Sequence, residues 1–175
     1  MRSSESLHTL WSEIRMDREA NVGRSARTLL WLFRVARATQ ALPSVPRFLA
    51  TPVRVAYRVV STTVFGAEIP LGAEIGSGLV LPHCRGLVLH EAAVIGPAST
   101  LRHNVTIGVR RSGESPPGVP RLGRCVDVGA GAQILGDIQI GAGARIGAGA
   151  IVLCDVPEGG VAVGNPARVI GPVRP

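Results

Sequence analysis

The chain has 175 residues, 22 of them Gly, and only six aromatic side chains (3 Phe, 2 Trp, 1 Tyr). That length suits one domain with a small appendage, and so few aromatics exclude a core built on rings and favour many thin aliphatic layers, as in a repeat architecture. All 19 basic residues are Arg, the net charge is +7, and the excess lies in residues 1–60, with ten Arg against four acids; without aromatic stacking platforms or a recognisable module in the rest of the chain, nucleic acid is not expected as a partner.

Residues 1–65 read as a helical region. Leu7, Leu10, Trp11 and Ile14 keep helical spacing, with Ser3 or Ser4 as a cap candidate. A second helix is expected from about Arg24 to Gln40, where Arg24, Arg27, Arg34 and Arg37 share one face; Pro43 and Pro46 end it. A third, from about Pro52 to Thr62, places Arg54 and Arg58 at i,i+4. The favoured reading is a small helical cap with a solvated basic face; contact with an anionic membrane surface is the less favoured one. The longest apolar run near the N-terminus, Leu29 to Phe33, is far too short to span a bilayer, and no leader pattern precedes it. Cys84, Cys125 and Cys154 are odd in number and form no C-x-x-C pair, which suits a reducing, cytoplasmic setting without disulfides.

From residue 66 to 175 the pattern changes to a six-residue beat. Ile69, Ile75 and Leu81 are six apart; so are Leu89, Ile95, Leu101 and Ile107; so, after a Pro/Gly-rich interruption, are Leu122, Val128, Ile134, Ile140, Ile146 and Val152. Small residues such as Ala73, Ala93, Ala132, Ala144 and Ala150 stand two places before many of them. Thirteen such units predict a parallel β-helix, each hexad forming one flat face, with small residues and Gly at the corners. Apart from that interruption, "LVLPHCRGLVLH" (79–90) breaks the beat, by two residues, and His83 stands in the break.

The segments "EIGSGLVLPHCRGLVLHEAAVIG", "LRHNVTIG", "VDVGAGAQILGDIQIGAGARIGAGAIVLCDVP" and "VGNPARVIG" resemble the hexapeptide-repeat acyltransferases, and among them the serine acetyltransferases and related O-acetyltransferases of polysaccharide clusters. The resemblance covers about residues 68–171. It implies a left-handed β-helix, mainly β with a small helical N-terminal region, three hexads per coil, and a homotrimer with sites between subunits. The N-terminal half is shorter than in family members that pair trimers, so a single trimer is expected. Dealt onto three faces, the hexads put Ile69, Leu89, Ile107, Ile134 and Val152 on the first, Ile75, Ile95, Leu122 and Ile140 on the second, and Leu81, Leu101, Val128 and Ile146 on the third. His83 and Glu68 then flank one edge, with His103, Ala130 and Ala148 expected above His83 at the same offset.

An alcohol attacks a thioester only once its proton is removed, and a histidine can take that proton near neutral pH. A carboxylate on the other ring nitrogen fixes the tautomer, and backbone N–H groups can meet the oxyanion. The resemblance implies His83 as general base and Glu68, where the family has Asp, as its orienting acid. It implies acetyl-CoA along the edge, against backbone at Gly108, Ala130 and Ala148, with Arg145 and Arg168 as candidates for its phosphates. Asp17, Arg85 and His103 are the acceptor-binding candidates. Pro82 stands where serine acetyltransferases have an acid, and Gly118-Val119 where they have an Arg-His pair. A sugar or other small hydroxylated metabolite is therefore the favoured acceptor, with serine as the alternative. No metal is expected. A metal lyase of the γ-carbonic anhydrase kind would need His83, His90 and His103 to converge, and the family's close-spaced His pair is absent. Cys84 as an acyl carrier and a non-catalytic scaffold are the remaining rivals; packing in a tight corner is the favoured account of Cys84.

Overall fold

The computed structural model describes residues 2–41, 46–111 and 118–172. Helices α1 (Arg2–Ala20), α2 (Arg24–Ala41) and α3 (Arg47–Thr63) precede a column of two- to six-residue strands. The strands form three parallel ladders, so the β segment is a three-sided β-helix. Ile75, Ile95, Leu122 and Ile140 align on one ladder. Leu101, Val128, Ile146 and Ala162 align on the next. Leu89, Ile107, Ile134 and Val152, on the first face, form the remaining ladder. The assignment of hexads to faces is met in every described strand. Each named aliphatic is buried while the residue before it points outward, because side chains alternate along even a two-residue strand. At roughly 1.5–3 kcal/mol per fully buried aliphatic side chain, the stacked columns supply the core that the missing rings do not.

The coils approach too closely for a side chain at several corners. A Cβ on Gly96 would lie 2.4 Å from the Gly123 carbonyl carbon, and one on Gly129 2.4 Å from the Ala148 nitrogen. The far end of the column is closed by a hairpin: Gly160–Gly164 continues the third face and Ala167–Pro172 returns antiparallel to it.

The near end has no coil beneath it, and its open backbone groups are met by side chains from the helices. Ser61 donates to the Ala67 carbonyl and Tyr57 to that of Ile69. Arg37 donates to Ala73 O, and Arg34 to Ile75 O and Gly76 O. Asp17 Oδ1 accepts from the N–H groups of Gly78 and Leu79. Asn21 donates to Leu79 O and accepts from Leu81 N–H. Arg34 is 2% exposed, and its Nε lies 2.9 Å from Asp17 Oδ2.

These contacts correct the expected solvated basic face. Arg27 donates to the carbonyls of Arg18 and Asn21, and Arg34 and Arg37 are spent on the first coil; of the four, Arg24 stays exposed. Two boundaries also differ. Ser3 and Ser4 lie inside α1, and α3 begins at Arg47, so that Pro52 is inside the helix and Pro46 takes the cap position. Pro43 lies outside the described residues. Among the described residues no helix is long and apolar enough to cross a membrane.

Arg34→Met is expected to cost about 3–5 kcal/mol in urea denaturation, the range for removing one partner of a buried ion pair, because it strands the Asp17 charge and two carbonyls. With the basic face turned inward, anionic vesicles at physiological salt are expected to leave the protein in the supernatant. Salt-sensitive co-sedimentation would count against this disposition of the arginines.

Candidate active site

The edge between the third and first faces is built as a stack of left-handed corner residues: Gly66, Gly86, Asn104, Gly131 and Gly149 all have φ between 56° and 70°. Gly fills four of these five corners without strain, and Asn, which tolerates this region, fills the fifth. Hydrogen bonds fix the register. Asn104 N–H donates to Arg85 O, Gly131 N–H to His103 O, and Gly149 N–H to Ala130 O. Arg85, His103, Ala130 and Ala148 are therefore successive rungs. This refines the expected placement: Arg85, not His83, stands below His103, and His83 belongs to the two residues added to the corner. Cys84 turns inward to fill the enlarged corner and is buried, and burial pushes its thiol pKa up, so that it holds little of the thiolate an acyl carrier needs.

His83 is exposed, and its ring meets that of His103 edge-on, centroids 5.7 Å apart. Glu68 sits one coil below, pairing in parallel with Val88, its side chain outward and exposed. The loop carrying His83 closes over this rung through Gly86 N–H to Gly66 O. No hydrogen bond or ion pair joins Glu68 to His83; among the described residues, the His103 ring is the aromatic contact of His83. The sequence thus brings the two imidazoles and the carboxylate to one edge without closing the expected Glu–His contact.

Asp17 is not set out for a ligand. It is 2% exposed, and its carboxylate is shared among Arg34, Gly78 N–H and Leu79 N–H. The expectation of an acceptor-binding residue, like that of a solvated helix residue, gives way to a buried joint between α1 and the first coil. Asn21, which shares that joint, carries no motif in the sequence.

Above the imidazoles the edge is lined by small residues. A Cβ on Gly108 would meet nothing within 4 Å, Ala130 is half-buried and Ala148 exposed. Arg145 lies on the outer side of the third face between Asp127 and Val161, and Arg168 opposite Val163 on the closing hairpin. Both side chains are exposed and, among the described residues, form no hydrogen bond or ion pair, which leaves two cations for anionic groups on that side. His90 is used locally, its Nδ1 accepting from Ala92 N–H. Among the described residues no group of three or more His, Cys, Asp or Glu could hold a metal. Of the interrupting segment 109–121, residues 112–117 lie outside the described part.

No family model matches the chain. It is 40% identical over 142 residues to a serine acetyltransferase of Synechococcus elongatus, a match covering 80% of this chain and 52% of that protein. The chain thus spans about half the length of this curated relative. The soybean serine acetyltransferase apoenzyme superposes with a TM-score of 0.77 at 35% identity, over 97% of this chain and 72% of that one. The serine acetyltransferase from Brucella abortus, solved in complex with coenzyme A, gives 0.77 at 28% identity, over 98% and 70%. Ladders, corners and identities agree: the chain belongs to the left-handed β-helix, hexapeptide-repeat acyltransferases and resembles their serine acetyltransferases.

Proposed function

We propose that the chain is an acetyl-CoA-dependent O-acetyltransferase that uses serine as acceptor and His83 as general base. The observation that carries the reading is the lengthened corner. It expels an imidazole from an otherwise regular column, beside an edge whose upper rungs are small and open. The choice of serine rests on the similarity to serine acetyltransferases, one of which was solved with coenzyme A. A neutral acceptor such as a sugar is the second reading. It is favoured by Pro82, by Gly118-Val119, and by the commitment of the Asp17 carboxylate to Arg34, Gly78 and Leu79.

In this mechanism His83 takes the hydroxyl proton as the acceptor oxygen attacks the thioester carbonyl. Backbone N–H groups at the edge receive the oxyanion. Collapse breaks the C–S bond, and the imidazolium returns its proton to the departing thiolate. Glu68, one coil below, stabilises the imidazolium; catalytic hydrogen bonds of this kind often tighten only in the substrate complex. Gly108, Ala130 and Ala148 leave room for the long thin arm of coenzyme A, and Arg145 and Arg168 meet its phosphates. Subunits assemble as a homotrimer, with sites between subunits.

His83→Ala is expected to keep the assembly and acetyl-CoA binding and to lower turnover by a factor on the order of 10² to 10⁴. Glu68→Gln should cost less, since the base survives, and His103→Ala should be milder again. Thiol release measured with serine, sugars and other hydroxyl compounds decides the acceptor. Near-normal transfer by His83→Ala beside an inert His103→Ala would move the base to the other imidazole. Light scattering should give the mass of three chains, and an active monomer would refute the trimer.

A further inference from the structure

The corner that carries His83 also carries a cation. Pro82, His83 and Arg85 are exposed, while Cys84 turns into the column. His83 and Arg85 therefore leave the column on either side of one buried residue. Two residues of chain span at most about 7 Å, so the guanidinium is rooted within a small molecule's length of the imidazole. The Arg85 side chain forms no hydrogen bond or ion pair among the described residues. Its main chain is held, the carbonyl accepting from Asn104 N–H.

The rung above adds polar groups. A Cβ on Gly86 would collide with the Asn104 side-chain amide, so glycine at 86 lets that amide settle on the corner next to Arg85. The His103 ring stands on the rung above Arg85 and against His83. Residues 82–86 include no acid, and Glu68 lies one coil below. One unpaired guanidinium with a neutral amide beside it matches a single negative charge. The planar fork of Arg pairs with a carboxylate through two parallel hydrogen bonds, whereas an ammonium has no counterpart on this corner. A small hydroxy acid fits the set: its carboxylate at Arg85 leaves its hydroxyl to reach His83.

We propose that Arg85 binds the carboxylate of the acceptor and that the acceptor class is the small hydroxy acids, with or without an ammonium. The assignment rests on the reading of His83 as the base of an O-acetyltransferase. It makes Arg85 a specificity-determining residue, and it places glycerate, in which a hydroxyl replaces the ammonium, beside serine as an acceptor.

The test measures thiol release from acetyl-CoA by wild type, Arg85→Gln and Arg85→Lys with L-serine, L-serine amide and glycerate. The amide lacks the carboxylate charge and glycerate lacks the ammonium. Wild type should use serine and glycerate with similar KM and prefer both to the amide. Arg85→Gln should raise the KM of both acids on the order of 10- to 100-fold, as for a lost hydrogen bond to a charged group, with acetyl-CoA KM unchanged. It should also erase the preference for serine over its amide, and Arg85→Lys should restore part of both. The side chain has no partner to lose, so the variants should keep the wild-type melting temperature. An unchanged serine KM in Arg85→Gln, or wild type that uses serine amide as readily as serine, overturns the assignment and leaves serine acetylation standing. Turnover of serine but not of glycerate overturns the hydroxy-acid class. Silence with every acceptor overturns both the assignment and the acetyltransferase reading.

Discussion

A parallel β-helix must end, and at its first coil it ends in a row of backbone N–H and C=O groups with no neighbour. Left bare, such an edge invites another strand, and each unpaired group that is buried costs about 1–3 kcal/mol. In this chain nine such groups are met one at a time by Asp17, Asn21, Arg34, Arg37, Tyr57 and Ser61. The helices are therefore a template for the first coil rather than an appendage. Their buried charges make sense only there: Arg34 answers the Asp17 carboxylate with one side of its fork and two carbonyls with the rest. A hydrophobic replacement would fill the volume and leave the edge unanswered.

That constraint reaches the candidate site because the site stands on the first two coils. Asn21 holds the backbone on either side of Val80, directly before the lengthened corner, and Ser61 holds the residue before Glu68. His83 is then displaced outward by a simple count. Two residues more than the repeat allows must leave the column, while Leu81, Cys84 and Leu87 stay inside to keep the core continuous. The exposed imidazole thus comes from a defect in a periodic structure whose register is fixed on both sides, by the helices below and by the Arg85–Asn104 rung above.

The hexad beat made the β-helix legible in the sequence, down to which aliphatic stacks on which, because a period of six with one inward side chain allows little else. The candidate edge was legible for the same reason, with one slip: counting upward from Leu81 aligned His83 with His103, whereas counting back from Leu89 aligns Arg85 with it, and the hydrogen bonds follow the second count. The helical half was less transparent. Helical spacing shows that Arg27, Arg34 and Arg37 share a face but not what the face meets, and a row of carbonyls has no sequence signature. Asp17 was misjudged likewise, since a carboxylate recruited by two backbone N–H groups looks the same in sequence as one awaiting a ligand. Pro52 misplaced the start of α3 because Pro commonly opens a helix, and here Pro46 does so instead.

The same geometry shapes the groove between α3 and the first coil. Residues that cap an edge must point into the column, and those one position away on the same helix must then point along its flank. Tyr57 caps Ile69, and Arg58, its neighbour, is left on the flank opposite the outward Glu68. Capping therefore leaves a cation in the groove between α3 and the first coil as a consequence of helix geometry. α3 thus both closes the first coil and lines this groove. Substitutions at Tyr57 or Ser61 would uncover the carbonyls of Ile69 and Ala67 and loosen the helix, whereas changes at Arg58 would leave these capping bonds in place.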